Sequence, residues 1–316
     1  MSHHATLFVA ALLLSICSTS SYGGFGRRQQ LRSGSSSNKL YMSLSDPITI
    51  QPIKTVSGEF TLPGSKSLSN RALLLAALSD GTTTVENLLD SADITYMLGA
   101  LKDLKIDVTE NKEAKTAIIV GKAGAINVDE VELNLGNAGT AMRPLTSVLC
   151  AGQGIFTLDG VARMRERPII DLVDALNQLD VDISCSDTGC PPVVINAKGI
   201  NGGEAVISGK ISSQYLSALL MTGPLAKGTI KLTIKDTLMS APYVHLTMNL
   251  MRQFGAKVES ENDKTFTTYP GTYKSPGKFF IEGDASSASY FLAGAAITGG
   301  KMTVYGCGSS SVQVGR

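Results

Sequence analysis

The chain has 316 residues, enough for about two domains, and its 43% apolar and 17% charged composition fits a globular protein with sizeable cores. Lys and Arg (28) nearly balance Asp and Glu (27), and Trp is absent. That balance argues against a basic nucleic-acid surface, and the missing Trp weakens any aromatic-stacking role.

The first 45 residues stand apart. Ala5–Cys17 is an apolar run too short to span a bilayer comfortably. A Ser-, Gly- and Arg-rich stretch follows, carrying Arg27, Arg28, Arg32 and Lys39, and no acidic residue precedes Asp46. Signal-like and then acid-poor, segment 1–45 reads as a removable leader, bipartite and addressed to a plastid. A secretory or mitochondrial address is the alternative, and the lack of Lys and Arg ahead of the apolar run counts against the secretory one. Without the leader the net charge is −3 and no membrane segment is expected.

Beyond the leader the chain repeats. Ser67, Thr140, Ser213 and Ser286 lie 73 residues apart, and each is predicted to open a helix. Gly64, Gly136, Gly209 and Gly283 precede them. After each helix comes a Gly and a β-rich run, beginning at Gly81, Gly154, Gly228 and Gly300. A second helical segment keeps register over 96–108, 171–183 and 249–258. It aligns Leu101 with Leu176 and Met251, and Leu104 with Leu179 and Phe254; Val108, Ile183 and Val258 close the segments 75 residues apart. The period is too long for a solenoid turn, so each copy is expected to be a small α/β subdomain. Helix N-termini, which attract anions, then recur with different side chains attached.

Those entrances carry the candidate chemistry. Pro63-Gly64 forces a turn, Ser65 or Ser67 can cap the helix, Lys66 lies beside its N-terminus and Arg71 lies one turn on. A phosphate or carboxylate fits such a volume, although the pattern is no Walker P-loop; a capped helix with solvated charges is the alternative. In the second copy Gly139 lets a ligand approach the backbone and Arg143 follows Thr140 by three residues; a Gly-rich loop with a surface Arg is the plain alternative. Pro168 suits the first turn of a helix, which places Arg167 at its mouth, while the run 163–168 taken alone reads as a solvated loop. The third copy offers Ser212, Ser213 and Gln214 at one helix start and Ser240 and Tyr243 at the next, ordinary caps by themselves. His245, the one His after the leader, leaves no room for a His-based triad and reads as an ordinary helix residue. Cys150 reads as core, and Cys185 and Cys190 lack the partners of a zinc site, so no metal is expected. Lys66, Arg71, Arg143 and Arg167, with almost no His, Cys or paired carboxylates, suit a small polyanionic substrate without identifying the reaction.

Six motifs in order, PGSKSLSNRALLLAAL, LGNAGTAMRPL, RMRERPI, SSQYLSALLMTGPLA, SAPYVHLTMNLM and EGDASSASYFLAGAA, resemble the 5-enolpyruvylshikimate-3-phosphate synthase family, also called 3-phosphoshikimate 1-carboxyvinyltransferase, over about Pro47 to Val304. The UDP-N-acetylglucosamine enolpyruvyl transferases share that fold but continue differently after Gly-Ser-Lys. The resemblance implies an α/β protein, an inverse α/β barrel of two lobes with three βαβαββ repeats each. Residues 46–65 would supply a strand to the second lobe, 66–283 would be the complete first lobe, and 284–316 would begin the second. It implies transfer of the enolpyruvyl group of phosphoenolpyruvate to the 5-hydroxyl of shikimate 3-phosphate, in the route to aromatic amino acids. The expected form is a monomer that needs no cofactor and has only small-molecule partners. It places Lys66, Ser67, Arg71, Ser212, Ser213, Gln214, Ser240 and Tyr243 on shikimate 3-phosphate. Lys66, Gly139, Arg143, Arg167 and Gln214 would hold phosphoenolpyruvate, with Lys66 in the proton transfers. The pattern departs from the family near Ser311, where Val312–Arg316 replaces an expected Gly-Asp pair. The resemblance thus reads the chain as a fragment or interrupted gene product that lacks half of the active site. A catalytically inactive single lobe is the alternative.

Overall fold

The computed structural model describes residues 51–309 and 311–313, so the expected leader and the last three residues lie outside it. The chain divides into two compact units, one of residues up to Phe60 with Ser287–Val304, the other of Thr61–Ser286 with residues from Tyr305 on. In chain order the elements are β1 (Gly58–Thr61), α1 (Lys66–Leu78), β2 (Thr82–Glu86), α2 (Ala92–Asp103), β3 (Asp107–Asn111) and β4 (Thr116–Val120). Next come β5 (Asn127–Asn134), α3 (Gly139–Leu149), β6 (Gln153–Asp159), α4 (Ile170–Asn177), β7 (Asp182–Cys185) and β8 (Val193–Lys198). Then follow β9 (Gly203–Ile207), α5 (Ser213–Thr222), β10 (Ile230–Ile234), α6 (Ala241–Gln253), β11 (Val258–Glu261), β12 (Thr265–Thr268), β13 (Lys278–Phe280), α7 (Ala285–Thr298) and β14 (Met302–Tyr305).

The larger unit holds three four-stranded sheets, ordered β13-β2-β4-β3, β5-β6-β8-β7 and β9-β10-β12-β11. In each, the first two strands pair in parallel and the remaining pairs are antiparallel. Parallel neighbours need a crossover. In the second and third copies the crossover is a single helix, α3 or α5. In the first copy the leading strand is β13, with Phe279 opposite Val85, so the end of the third copy returns to complete the first. The smaller unit pairs β1 with β14, stacks Phe60 on Phe291 with ring centroids 4.1 Å apart, and includes α7 from Ser287 onward.

Burial explains the two kinds of helix. Leu68–Leu78 of α1 is buried without interruption, as is most of α3 and α5, the signature of helices enclosed on all sides. The second helix of each copy is amphipathic. Ile94, Met97, Leu98 and Leu101 form the apolar stripe of α2, and Val244, Thr247, Met248 and Met251 occupy the same spacing on α6. Strand β8 alternates cleanly, with Val193, Ile195 and Ala197 turned into the core.

The second helices are shorter than the segments predicted for them. They end at Asp103, Asn177 and Gln253, and Val108, Ile183 and Val258 lie on the strands that follow. Each helix is stopped by a residue in the left-handed region: Lys105 at φ 61°, Asp180 at φ 60° and Gly255 at φ 80°. In all three the next amide turns back to the carbonyl five residues earlier, Ile106 to Leu101, Val181 to Leu176 and Ala256 to Met251, the pattern of a Schellman cap. Only the third copy spends a Gly on it, so two of the three stops carried no glycine signal.

Candidate functional site

The N-termini of α1, α3 and α5 open onto one cleft of about 600 Å³ in the larger unit. Its walls include Lys66, Ser67, Arg71, Gly139, Arg167, Ser212, Ser213, Gln214, Ser240 and Tyr243, so the fold brings together ten of the eleven predicted site residues. Each helix end contributes about half a positive charge and free amide groups. Ser212 caps α5, accepting from the Gln214 amide at 3.2 Å. Neither Ser65 nor Ser67 caps α1 as expected, because Ser65 makes no side-chain cap bond and Ser67 lies inside the first turn, where it lines the cleft.

Arg71 is buried, and its surroundings are neutral. Nε donates to Thr247 Oγ1 at 2.8 Å and Nη1 to the Ser67 carbonyl at 3.0 Å. Burial lowers its pKa to about 10, so it remains charged at neutral pH. No carboxylate pairs with it among the described residues. A buried guanidinium without a counter-ion is costly, and an anion in the cleft offsets that cost.

Arg143 is the exception among the predicted residues: it is buried beside Gly139 and is not among the residues that line the cleft. Its guanidinium sits 6.0 Å from the Tyr215 ring centroid, and its Nε is buried without a partner. Burial first, and then the Arg167 charge, lower its pKa. A Cβ at Gly139 would collide with both Arg143 and Arg167, so the missing side chain lets two cations approach one stretch of backbone. Arg167 Nη1 donates to the Asn137 carbonyl at 2.9 Å. Pro168 precedes α4 rather than entering its first turn: the Ile169 and Ile170 amides are held by the Gly189 carbonyl, and the Tyr215 hydroxyl donates to the Pro168 carbonyl at 2.5 Å. That bracing fixes Arg167.

Asp93 was missed by the sequence reading. Its carboxylate lies 3.6 Å from Lys66 Nζ and accepts from Thr140 Oγ1 at 2.8 Å, while Asn70 donates to Thr140 at 2.7 Å. Asp93 is the one carboxylate on the cleft wall among the described residues. A signal existed: the 75-residue register aligns Asp93 with Pro168 and Tyr243, each at the entrance of a second helix. His245 lies on α6, paired at 2.7 Å with Asp263, and Cys150 is fully buried. Three helix N-termini with Lys66, Arg71 and Arg167 make the cleft complementary in charge to small polyanions.

The family model for EPSP synthase (3-phosphoshikimate 1-carboxyvinyltransferase) matches residues 50–316. The chain is 56% identical over 277 residues to the chloroplastic 3-phosphoshikimate 1-carboxyvinyltransferase of Petunia hybrida, covering 84% of this chain and 54% of that protein. It is 52% identical over 269 residues to the 3-phosphoshikimate 1-carboxyvinyltransferase of Shewanella piezotolerans, covering 84% of this chain and 63% of that protein. A solved structure of EPSP synthase from Acinetobacter baumannii superposes with a TM-score of 0.69 at 28% identity, covering 81% of this chain and 57% of that one. The chain spans about half the length of the plant relatives it matches.

Proposed function

The chain belongs to the EPSP synthase family, and from that membership we propose that its cleft binds shikimate 3-phosphate and phosphoenolpyruvate for enolpyruvyl transfer. The observation that carries this reading is the convergence of three helix N-termini with Lys66, Arg71 and Arg167 on one cleft, where Asp93 is the one carboxylate among the described residues. Both substrates carry several negative charges and repel one another in water. Cations held in place beforehand remove that repulsion at no cost of reorganisation. In the reaction the 5-hydroxyl adds to C2 of phosphoenolpyruvate while C3 gains a proton. Loss of phosphate and of one methyl proton then restores the double bond.

Lys66, at the first turn of α1, is the proton-transfer candidate on this side of the reaction. Ser67, Arg71, Ser212, Ser213, Ser240 and Tyr243 hold the phosphorylated ring, with Gln214 between the two substrates. Gly139 and Arg167 hold phosphoenolpyruvate, and Arg143, buried beside Gly139, supports it with its charge. Segment 66–283 would be the substrate-binding lobe; of the flanking segments 46–65 and 284–316 that the family plan gives to the other lobe, residues up to Phe60 and Ser287–Val304 do cluster separately, while Thr61–Ser65, Asp284–Ser286 and the residues from Tyr305 on pack with the larger unit. The chloroplastic plant relatives, together with the acid-poor first 45 residues, support a plastid address. Calorimetry with shikimate 3-phosphate tests the reading: the chain should bind it, and Arg71→Ala should weaken binding by about tenfold or more. Equal affinity in the two proteins would sink it.

A further inference from the structure

Thr247 breaks the repeat. The register that aligns Leu101, Leu176 and Met251 places Met97, Leu172 and Thr247 at one position, and all three side chains are fully buried. Two copies fill the position with apolar core, and the third puts a hydroxyl there. Burying a hydroxyl is unfavourable unless it finds partners, and this one finds three. It accepts from Arg71 Nε at 2.8 Å, and lies 2.9 Å from the Tyr243 carbonyl and 3.1 Å from Ser217 Oγ. Thr247 has one hydrogen, so it serves the carbonyl or Ser217 at any moment, but it can accept from Arg71 throughout. Arg71 is on α1, Ser217 on α5 and Thr247 on α6, so this junction ties the first copy to the third.

The chemistry of the partner matters as much as its place. A carboxylate would hold the guanidinium more firmly, but would cancel its charge and repel an incoming anion. A hydroxyl fixes Nε and leaves the charge intact. With Nη1 on the Ser67 carbonyl, the rest of the guanidinium edge is available to the cleft that Arg71 lines. We propose that Thr247 is the positioning residue for Arg71, aiming an uncompensated guanidinium at the phosphate-bearing substrate. The proposal rests on the reading of the cleft given above.

The test compares Thr247→Val, which keeps the shape and loses the hydroxyl, with Thr247→Ser, which keeps the hydroxyl. In the full chain, calorimetry with shikimate 3-phosphate should show about a tenfold or greater loss for Thr247→Val, and Thr247→Ser within about threefold of the parent. Wild-type affinity in Thr247→Val overturns the proposal. So does an equal loss in both variants, since packing of the methyl group would then account for it. A second measurement needs no ligand. The Arg71 Nε–H signal, assigned by its loss in Arg71→Lys, should exchange slowly with water in the parent and in Thr247→Ser, and quickly in Thr247→Val. Unchanged exchange in Thr247→Val overturns the proposal even if the parent binds no shikimate 3-phosphate, an outcome that would itself count against the reading of the cleft and not against the positioning of Arg71.

Discussion

At the scale of single residues, the cleft is decided by which charges are neutralised and which are not. Arg71 has hydroxyl and carbonyl partners and keeps its charge for a ligand. Lys66 faces Asp93 at 3.6 Å, and both side chains are partly exposed, so the pair is weak and easily displaced. Asp93 is also held by Thr140, which makes it a fixed negative charge in a site built for anions. Asp93→Asn retains an acceptor for Thr140 and removes that charge. Affinity for shikimate 3-phosphate should rise by about two- to fivefold, consistent with one partly screened charge, when measured by calorimetry at low salt. A fall in affinity would show instead that Lys66 depends on Asp93 for its position. Gly139 matters by absence, since any side chain there would push against Arg143 and Arg167.

At the scale of elements, each inner helix puts polar residues at its N-terminal end and apolar ones along its length. Ser69, Asn70 and Arg71 of α1 are buried beside Leu73, Leu74 and Leu75, so one helix supplies both the cleft and the core. The caps of the second helices are where local sequence and local structure disagree. Lys105 and Asp180 hold left-handed conformations that L residues adopt at a cost, and Gly255 holds the same place without strain. Lys105→Gly should therefore stabilise the protein, by about 0.5 kcal/mol after the added flexibility of the unfolded chain is counted, as read from urea unfolding midpoints. A lower midpoint would mean that the Lys105 side chain contributes more than its backbone costs.

At the scale of the whole molecule, the three copies form a closed set because β13 returns to the first sheet. Closure aims three helix ends at one point and gathers residues from Lys66 to Tyr243 around it. The same geometry limits the chemistry on view. The proposed reaction would need a base for the 5-hydroxyl as well as a proton for C3, and the one carboxylate on the cleft wall among the described residues is engaged with Lys66 and Thr140. Under the proposed reading, a polypeptide of these 316 residues is expected to bind shikimate 3-phosphate yet, with that carboxylate so engaged, to release no phosphate from the substrate pair. Phosphate release above background in a coupled assay would show that the residues present suffice.

The sequence by itself determined the repeat, the α/β class and the helix entrances. Those follow from apolar periodicity and from Gly, Ser and Pro placed around Ser67, Thr140 and Ser213, all of which act over a few residues. It also held the family, through motifs whose residue types match over most of the chain. Only the tertiary structure decided that β13 completes the first sheet, that Arg143 is buried while Arg167 lines the cleft, and that Asp93 meets Lys66. These depend on contacts between residues from 24 (Arg143 and Arg167) to about 200 positions apart, and local patterns carry no distance between such partners. Thr247 lies between the two cases. Its departure from Met97 and Leu172 is visible in the aligned copies, but what the hydroxyl is for appears only when α6 is packed against α1 and Arg71 is found 2.8 Å away.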